Sequence, residues 1–139
     1  MEMEQHTIVF TTLGRGTQDI TTDVAKVVSN SVITIGLCHI FLQHTSASIM
    51  ICENYDAQVR KDLESFLLRL IPDGDPMFKH VTEGKDDMPA HIRNILTQTE
   101  ITIPIHEAKL ALGAWQGIYL YEHKYQLQKR NLIVSVLGV

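Results

Sequence analysis

Strand-length apolar segments dominate this chain, with no regular helix between successive ones, and that arrangement limits the possible folds more than any other feature. Gln5 to Thr12, Gly36 to Gln43, Ala47 to Glu53, Gly117 to Tyr125 and Asn131 to Gly138 read as β-strands. Ile101, Ile103 and Ile105 alternate with Thr102 and Pro104, the period of a strand with one buried face. A doubly wound sheet needs a helix after nearly every strand. The pattern therefore predicts an α+β fold with a mostly antiparallel sheet.

Three helices fit between these strands. Thr21 or Thr22 can cap the first, Asp23 suits its positive end, and Val24, Val27 and Val28 form an apolar face that Ser29 and Asn30 break. Asn54 is placed to cap the second. There Val59, Leu63, Phe66, Leu67 and Leu70 recur at helical spacing, making it the clearest amphipathic helix of the chain. The segment from Pro72 to Pro76 ends it and opens a polar stretch. A third helix begins near Asp87, with Pro89 tolerated in its first turn and Ile92, Ile95 and Leu96 as its buried face.

At 139 residues one hydrophobic core closes without division, and no linker or repeat interrupts residues 1–139, so a single domain is expected. Lys and Arg number 12 against 16 Asp and Glu, and the basic residues are scattered apart from Lys129 and Arg130. Nucleic-acid binding through phosphate neutralisation needs a basic stripe, so no nucleic-acid partner is expected. No apolar run approaches the roughly 20 residues of a membrane-spanning helix. The first residues, MEMEQH, lack the basic and apolar regions of a signal peptide. The expectation is a cytoplasmic protein with no membrane partner. Cys38 and Cys52 lie within apolar strands and read as inert packing residues.

The chemistry is concentrated between His80 and His91, where HVTEGKDDMPAH sets two histidines around Glu83, Gly84, Asp86 and Asp87. Asp87 and His91 are four residues apart at a helix start, hence on one face, and Gly84 allows the preceding loop to fold back and bring His80 alongside. Imidazoles and carboxylates so placed bind a divalent metal or serve acid–base chemistry, and the N–H groups of the first helical turn attract an anion. His44, followed by Thr45, Ser46 and Ser48 at a strand end, offers groups for phosphate oxygens or for a metal; a bend whose side chains satisfy their own backbone explains it equally. Capping accounts for Asn54 and leaves Glu53 open. Trp115 beside Gln116 and Gly117 fits the core, a subunit contact or a stacked ligand. His6, His39, His106 and His123 occupy strand-like positions and read as ordinary structural or surface histidines.

HTSAS at 44–48, EN at 53–54, HVTEGKDDMPAHI at 80–92, IPI at 103–105 and LGAWQGIYLYE at 112–122 together resemble the YjbQ family, also called the secondary thiamine-phosphate synthase family. The resemblance spans nearly the whole chain in order. It implies an antiparallel sheet folded on itself with two or three helices, assembled as a homotrimer with sites near subunit boundaries. It further implies condensation of a pyrimidine diphosphate with a thiazole phosphate, the ligand thus being a small phosphorylated molecule. On this basis His44, His80 and His91 are assigned to a divalent metal, zinc or magnesium, or to a phosphate. Asp86 or Asp87 serves the metal or a proton, with His44 and His91 also counted as catalytic. Thr45, Ser46, Glu53, Trp115, Gln116 and Gly117 shape the substrate pocket. A non-enzymatic trimeric module that holds a metal or anion is the alternative.

Overall fold

A computed structural model describes residues 1–139. In chain order the elements are β1 (Glu2–Thr12), β2 (Gly16–Asp19), α1 (Thr21–Ser29), β3 (Gly36–Leu42), β4 (Ala47–Glu53), α2 (Ala57–Leu70), α3 (Asp87–Leu96), β5 (Glu100–His106), β6 (Lys109–Leu110), β7 (Gln116–Glu122) and β8 (Gln128–Gly138). All strand pairings are antiparallel. They make a five-stranded sheet in the order β1-β8-β3-β5-β6 and a three-stranded sheet β2-β7-β4, which curl together as a half-barrel. The antiparallel pairing is what the strand pattern predicts and the folding-over is what the family resemblance implies, with β2 and β6 added as short strands that the pattern did not disclose.

Strand alternation builds the core. Cys38, Ile40 and Leu42 of β3, Ile101, Ile103 and Ile105 of β5, and Leu132, Val134 and Val136 of β8 point inward from the larger sheet. Ala47, Ile49, Ile118 and Leu120 meet them from the smaller one, and α1 contributes Val24 and Val28. Burial raises the Cys38 thiol to about 11, and both cysteines are free, as expected for packing residues. Close approach fixes one glycine: a Cβ on Gly36 would lie 2.0 Å from the Leu137 carbonyl oxygen across the β3–β8 pair.

Three local readings need correction. Neither Thr21 nor Thr22 caps α1: the flanking residue is Ile20, and the Asp19 carboxylate accepts from Thr21 N–H instead. The α2 cap is Asp56 rather than Asn54, its carboxylate accepting from Gln58 N–H. The buried side of α3 consists of Asp87, Pro89, Ala90 and Arg93, while Ile95 is 78% exposed and Leu96 is also open. Arg93 can take the inner position because α2 supplies Glu64, whose two oxygens accept its two terminal nitrogens at 2.7 and 3.0 Å. The apolar stripe of α2 is only partly covered in this chain, Val59 and Leu67 being half-buried and Leu63, Phe66 and Leu70 exposed. No α2 residue is buried, and Phe66 is 63% exposed. No helix is long and apolar enough to cross a membrane.

Candidate functional site

Gly84 makes the turn that creates the site. Its φ of +100° lies in the left-handed region, where a side chain is strained, and it reverses the loop ahead of α3 as its position in the sequence suggests. His80 thereby returns to the first turn of α3. Its Nε2 stands 2.7 Å from Asp87 Oδ2, and His91 Nε2, one helical turn on, stands 3.1 Å from the same oxygen. The His80 and His91 ring centroids are 5.5 Å apart, and one ligand atom from each of His80, Asp87 and His91 lies within 4.8 Å of the others.

The hydrogen bonding of His91 fixes what these atoms can do. Its Nδ1 is 2.7 Å from the Thr45 carbonyl oxygen, which can only accept, so Nδ1 carries the hydrogen. In a neutral ring Nε2 then presents a lone pair toward the Asp87 carboxylate, another acceptor. A cation between them, either a proton or a metal ion, removes the conflict. A metal-ligating histidine characteristically donates its second N–H to a carbonyl, and Thr45 provides one.

Asp87 is held from behind. Its Oδ1 accepts from Lys124 Nζ at 2.9 Å, and Lys124 also reaches the Glu83 carbonyl at 2.9 Å and Asp86 Oδ1 at 3.2 Å. Burial alone pushes the Asp87 carboxyl up. Hydrogen bonds from Lys124 and His80, with the charges of Lys124 and His91, outweigh it and set the group below the usual carboxylate range. Burial likewise lowers the Lys124 ammonium, but Asp87 and Asp86 raise it above its ordinary value. Both groups therefore stay ionised near neutral pH. Asp86 has a further task, since its Oδ2 accepts from Tyr125 N–H at 2.8 Å. The carboxylates of Asp86 and Asp87 occupy the N-terminus of α3, so an anion drawn there by the helix alone would meet two negative charges.

The expected set is brought together in part. His80, His91, Asp87 and the backbone of Thr45 converge. His44 is outside the cluster: its carbonyl accepts from Asn94 Nδ2, and burial and the nearby Arg130 charge lower its imidazole pKa against an opposing effect of Glu122. Asp86 braces the loop, and Ser46 lines a polar hollow beside Asp87. Glu53, Trp115, Gln116 and Gly117 lie at the other end of the β4–β7 pair, where Glu53 pairs with Gln116 and Cys52 with Gly117. The length of β4 puts that end roughly 20 Å from His44 within one chain. Glu53 Oε2 already accepts from the N–H groups of Tyr55 and Asp56, which explains the residue as a turn brace. Trp115 stacks edge-on against Tyr55 and is 59% exposed.

Sequence reasoning missed Lys124, Glu122 and Arg130, all buried. The available signal was the run Glu122, His123, Lys124 at the end of an apolar strand. Charged residues that continue a buried strand need partners. His123 is fully buried, with Nε2 2.7 Å from Ser48 Oγ. Burial, then the charges of Arg93, Arg15 and Arg130, bring its pKa down to about 3. The folded chain thus keeps His123 neutral while the unfolded chain protonates it below about 6.5. Stability should fall by up to about 1.4 kcal/mol per pH unit as pH drops from 6.5 toward 5, before most carboxylates titrate. Denaturant unfolding at pH 7, 6 and 5 checks this, and a slope unchanged in His123→Gln would exclude His123 as its source.

Comparison with known proteins agrees with the motifs. A family model described as UPF0047 protein YjbQ-like matches residues 6–139. A UPF0047 protein of Synechocystis sp. is 43% identical over 134 residues, covering 96% of this chain and 91% of that protein. The UPF0047 protein YjbQ of Escherichia coli O157:H7 is 38% identical over 135 residues, covering 96% and 97% respectively. Among solved structures, a protein of unknown function from Sulfolobus solfataricus P2 superposes with a TM-score of 0.85 at 25% identity, covering 99% of this chain and all of that one. Sequence, fold and matched length agree: the chain belongs to the UPF0047 YjbQ-like family, whose function is not known.

Proposed function

We propose that His80, Asp87 and His91 hold a divalent cation, and that the chain is a transferase of the secondary thiamine-phosphate synthase type, joining a pyrimidine diphosphate to a thiazole phosphate. The observation that carries the metal reading is the placement of His91 Nε2 3.1 Å from Asp87 Oδ2 while Nδ1 is committed to the Thr45 carbonyl, the arrangement of a metal-ligating histidine. Two imidazoles and one carboxylate suit zinc better than magnesium, which prefers oxygen donors. Three protein ligands leave a position for substrate. A cation bound there supplies Lewis-acid stabilisation for a departing diphosphate. Lys124 keeps Asp87 ionised, Thr45 keeps Nε2 of His91 free, and Phe78, Val81 and Met88 line an adjoining hollow of about 350 Å³, with His80, that suits an aromatic ring.

The same reading assigns the remaining motif residues to a homotrimer. The exposed stripe of α2 and the Tyr55–Trp115 pair are apolar surface that a second copy would cover, bringing Trp115, Gln116 and Glu53 toward a neighbour's site. A specific observation favours the binding-module alternative: Asp86 is tied to Tyr125 and Lys124, so it is not a free proton carrier.

Purified without chelator, the protein should carry about one metal ion per chain and His91→Ala should lose it. Thiamine phosphate formation should fall at least about 100-fold in that variant. Metal without turnover selects the binding module, and neither metal nor turnover rejects both readings. Native sizing should give three times the 15.7 kDa chain mass.

A further inference from the structure

We infer that the polar hollow beside Asp87 is a subsite for the uncharged, hydroxyl-bearing part of a phosphorylated ligand. It encloses about 580 Å³, and none of the eight residues lining it is hydrophobic. The proposal rests on the function above only in placing the ligand's phosphate on a cation at His80, Asp87 and His91.

Charge excludes the phosphate itself from this hollow. Its one cation, Lys124, is engaged by Asp87 at 2.9 Å, Asp86 at 3.2 Å and the Glu83 carbonyl at 2.9 Å. Glu83 and Asp87 also line the wall, so carboxylates outnumber ammonium groups there. What remains for a ligand is neutral: the hydroxyls of Ser46 and Thr82 and the amides of Gln126 and Gln128. Each of these side chains both donates and accepts, which matches a run of hydroxyl groups.

Two of them stand on anchored backbone. The Ser46 carbonyl accepts from Arg130 at 3.2 Å and the Gln128 carbonyl from Thr12 Oγ1 at 3.3 Å, so the buried polar cluster beneath sets their positions. A flat apolar ring would find no surface to pack on here. The hollow on the other side of Gly84, lined by Phe78, Val81 and Met88, offers one, and Gly84 borders both. The two hollows therefore divide a ligand by chemistry, the apolar part going to the hollow that His80 lines and the hydroxylated part to the one that Asp87 lines.

Ribose 5-phosphate and inorganic phosphate test this on the full chain loaded with zinc. Wild type should bind ribose 5-phosphate about tenfold more tightly or better. Gln126→Ala combined with Gln128→Ala should erase that roughly tenfold margin and leave affinity for inorganic phosphate unchanged. An unchanged melting temperature verifies the fold. The side-chain amide NMR signals of Gln126 and Gln128 should also shift with concentrated D-ribose in metal-free protein. Failure of the chain to bind zinc would reject the metal reading while leaving that arm to decide the subsite. Equal affinity of wild type for both phosphates, a double variant that keeps the margin, or amide signals that ignore ribose would each overturn the proposal.

Discussion

Asp87→Asn should lower metal affinity about 100-fold or more and cost roughly 3 kcal/mol of stability. The first effect follows from the proposed metal site, where a neutral amide would replace the anionic group that His80 and His91 share. The second follows because the buried Lys124 loses its shortest ion pair. Breaking such a pair typically costs about 3–5 kcal/mol, and the value here sits at the low edge because Asp86 still reaches Lys124. Metal content together with a thermal melt reads both, the melt falling by about 10 °C. Metal retained at full affinity in Asp87→Asn would remove Asp87 from the ligand set, whatever the melt shows.

Glu122→Ala should be the most disruptive single change, costing about 3–5 kcal/mol or preventing folding outright. Glu122 accepts from Thr12 Oγ1 at 2.6 Å and from Arg130 Nε at 2.8 Å, and its second oxygen accepts from the N–H groups of His123 and Lys124 and from the Arg130 terminal nitrogen. Removing it strands the Arg130 guanidinium, only 2% exposed, without a counter-charge. It also frees the backbone that aims Lys124 at Asp87. The double variant Glu122→Ala with Arg130→Met should recover much of the loss, because no unpaired charge is then buried. Equilibrium unfolding of both proteins decides the matter: a single variant less than 1 kcal/mol below wild type contradicts a paired buried charge.

The histidines and carboxylates of the 80–91 segment were legible because helical spacing and a glycine turn are local. Asp87 and His91 had to share a face, and Gly84 had to reverse the loop if His80 was to join them. His44 could not be placed in this way. Its place depends on the bend before β4, and the Arg130 charge that helps lower its pKa comes from 86 positions along the chain. Ile95 and Leu96 misled for a related reason: periodicity identifies an apolar face without identifying what covers it. Arg93 took the buried position on α3 only because Glu64 and Tyr121, from two other elements, meet at one point beside it.

The strand pattern alone determined the α+β class, the mostly antiparallel sheet and the inward residues of β5, because alternation with period two is written into neighbouring residues. Only the tertiary structure decided that His44 stays outside the cluster of His80, Asp87 and His91, that Lys124 and Thr45 orient it, and that a buried Glu122–Arg130 pair lies behind it. Those relations join groups up to 118 positions apart, as Thr12 and Arg130 on Glu122 illustrate, and no short-range pattern encodes where such groups meet.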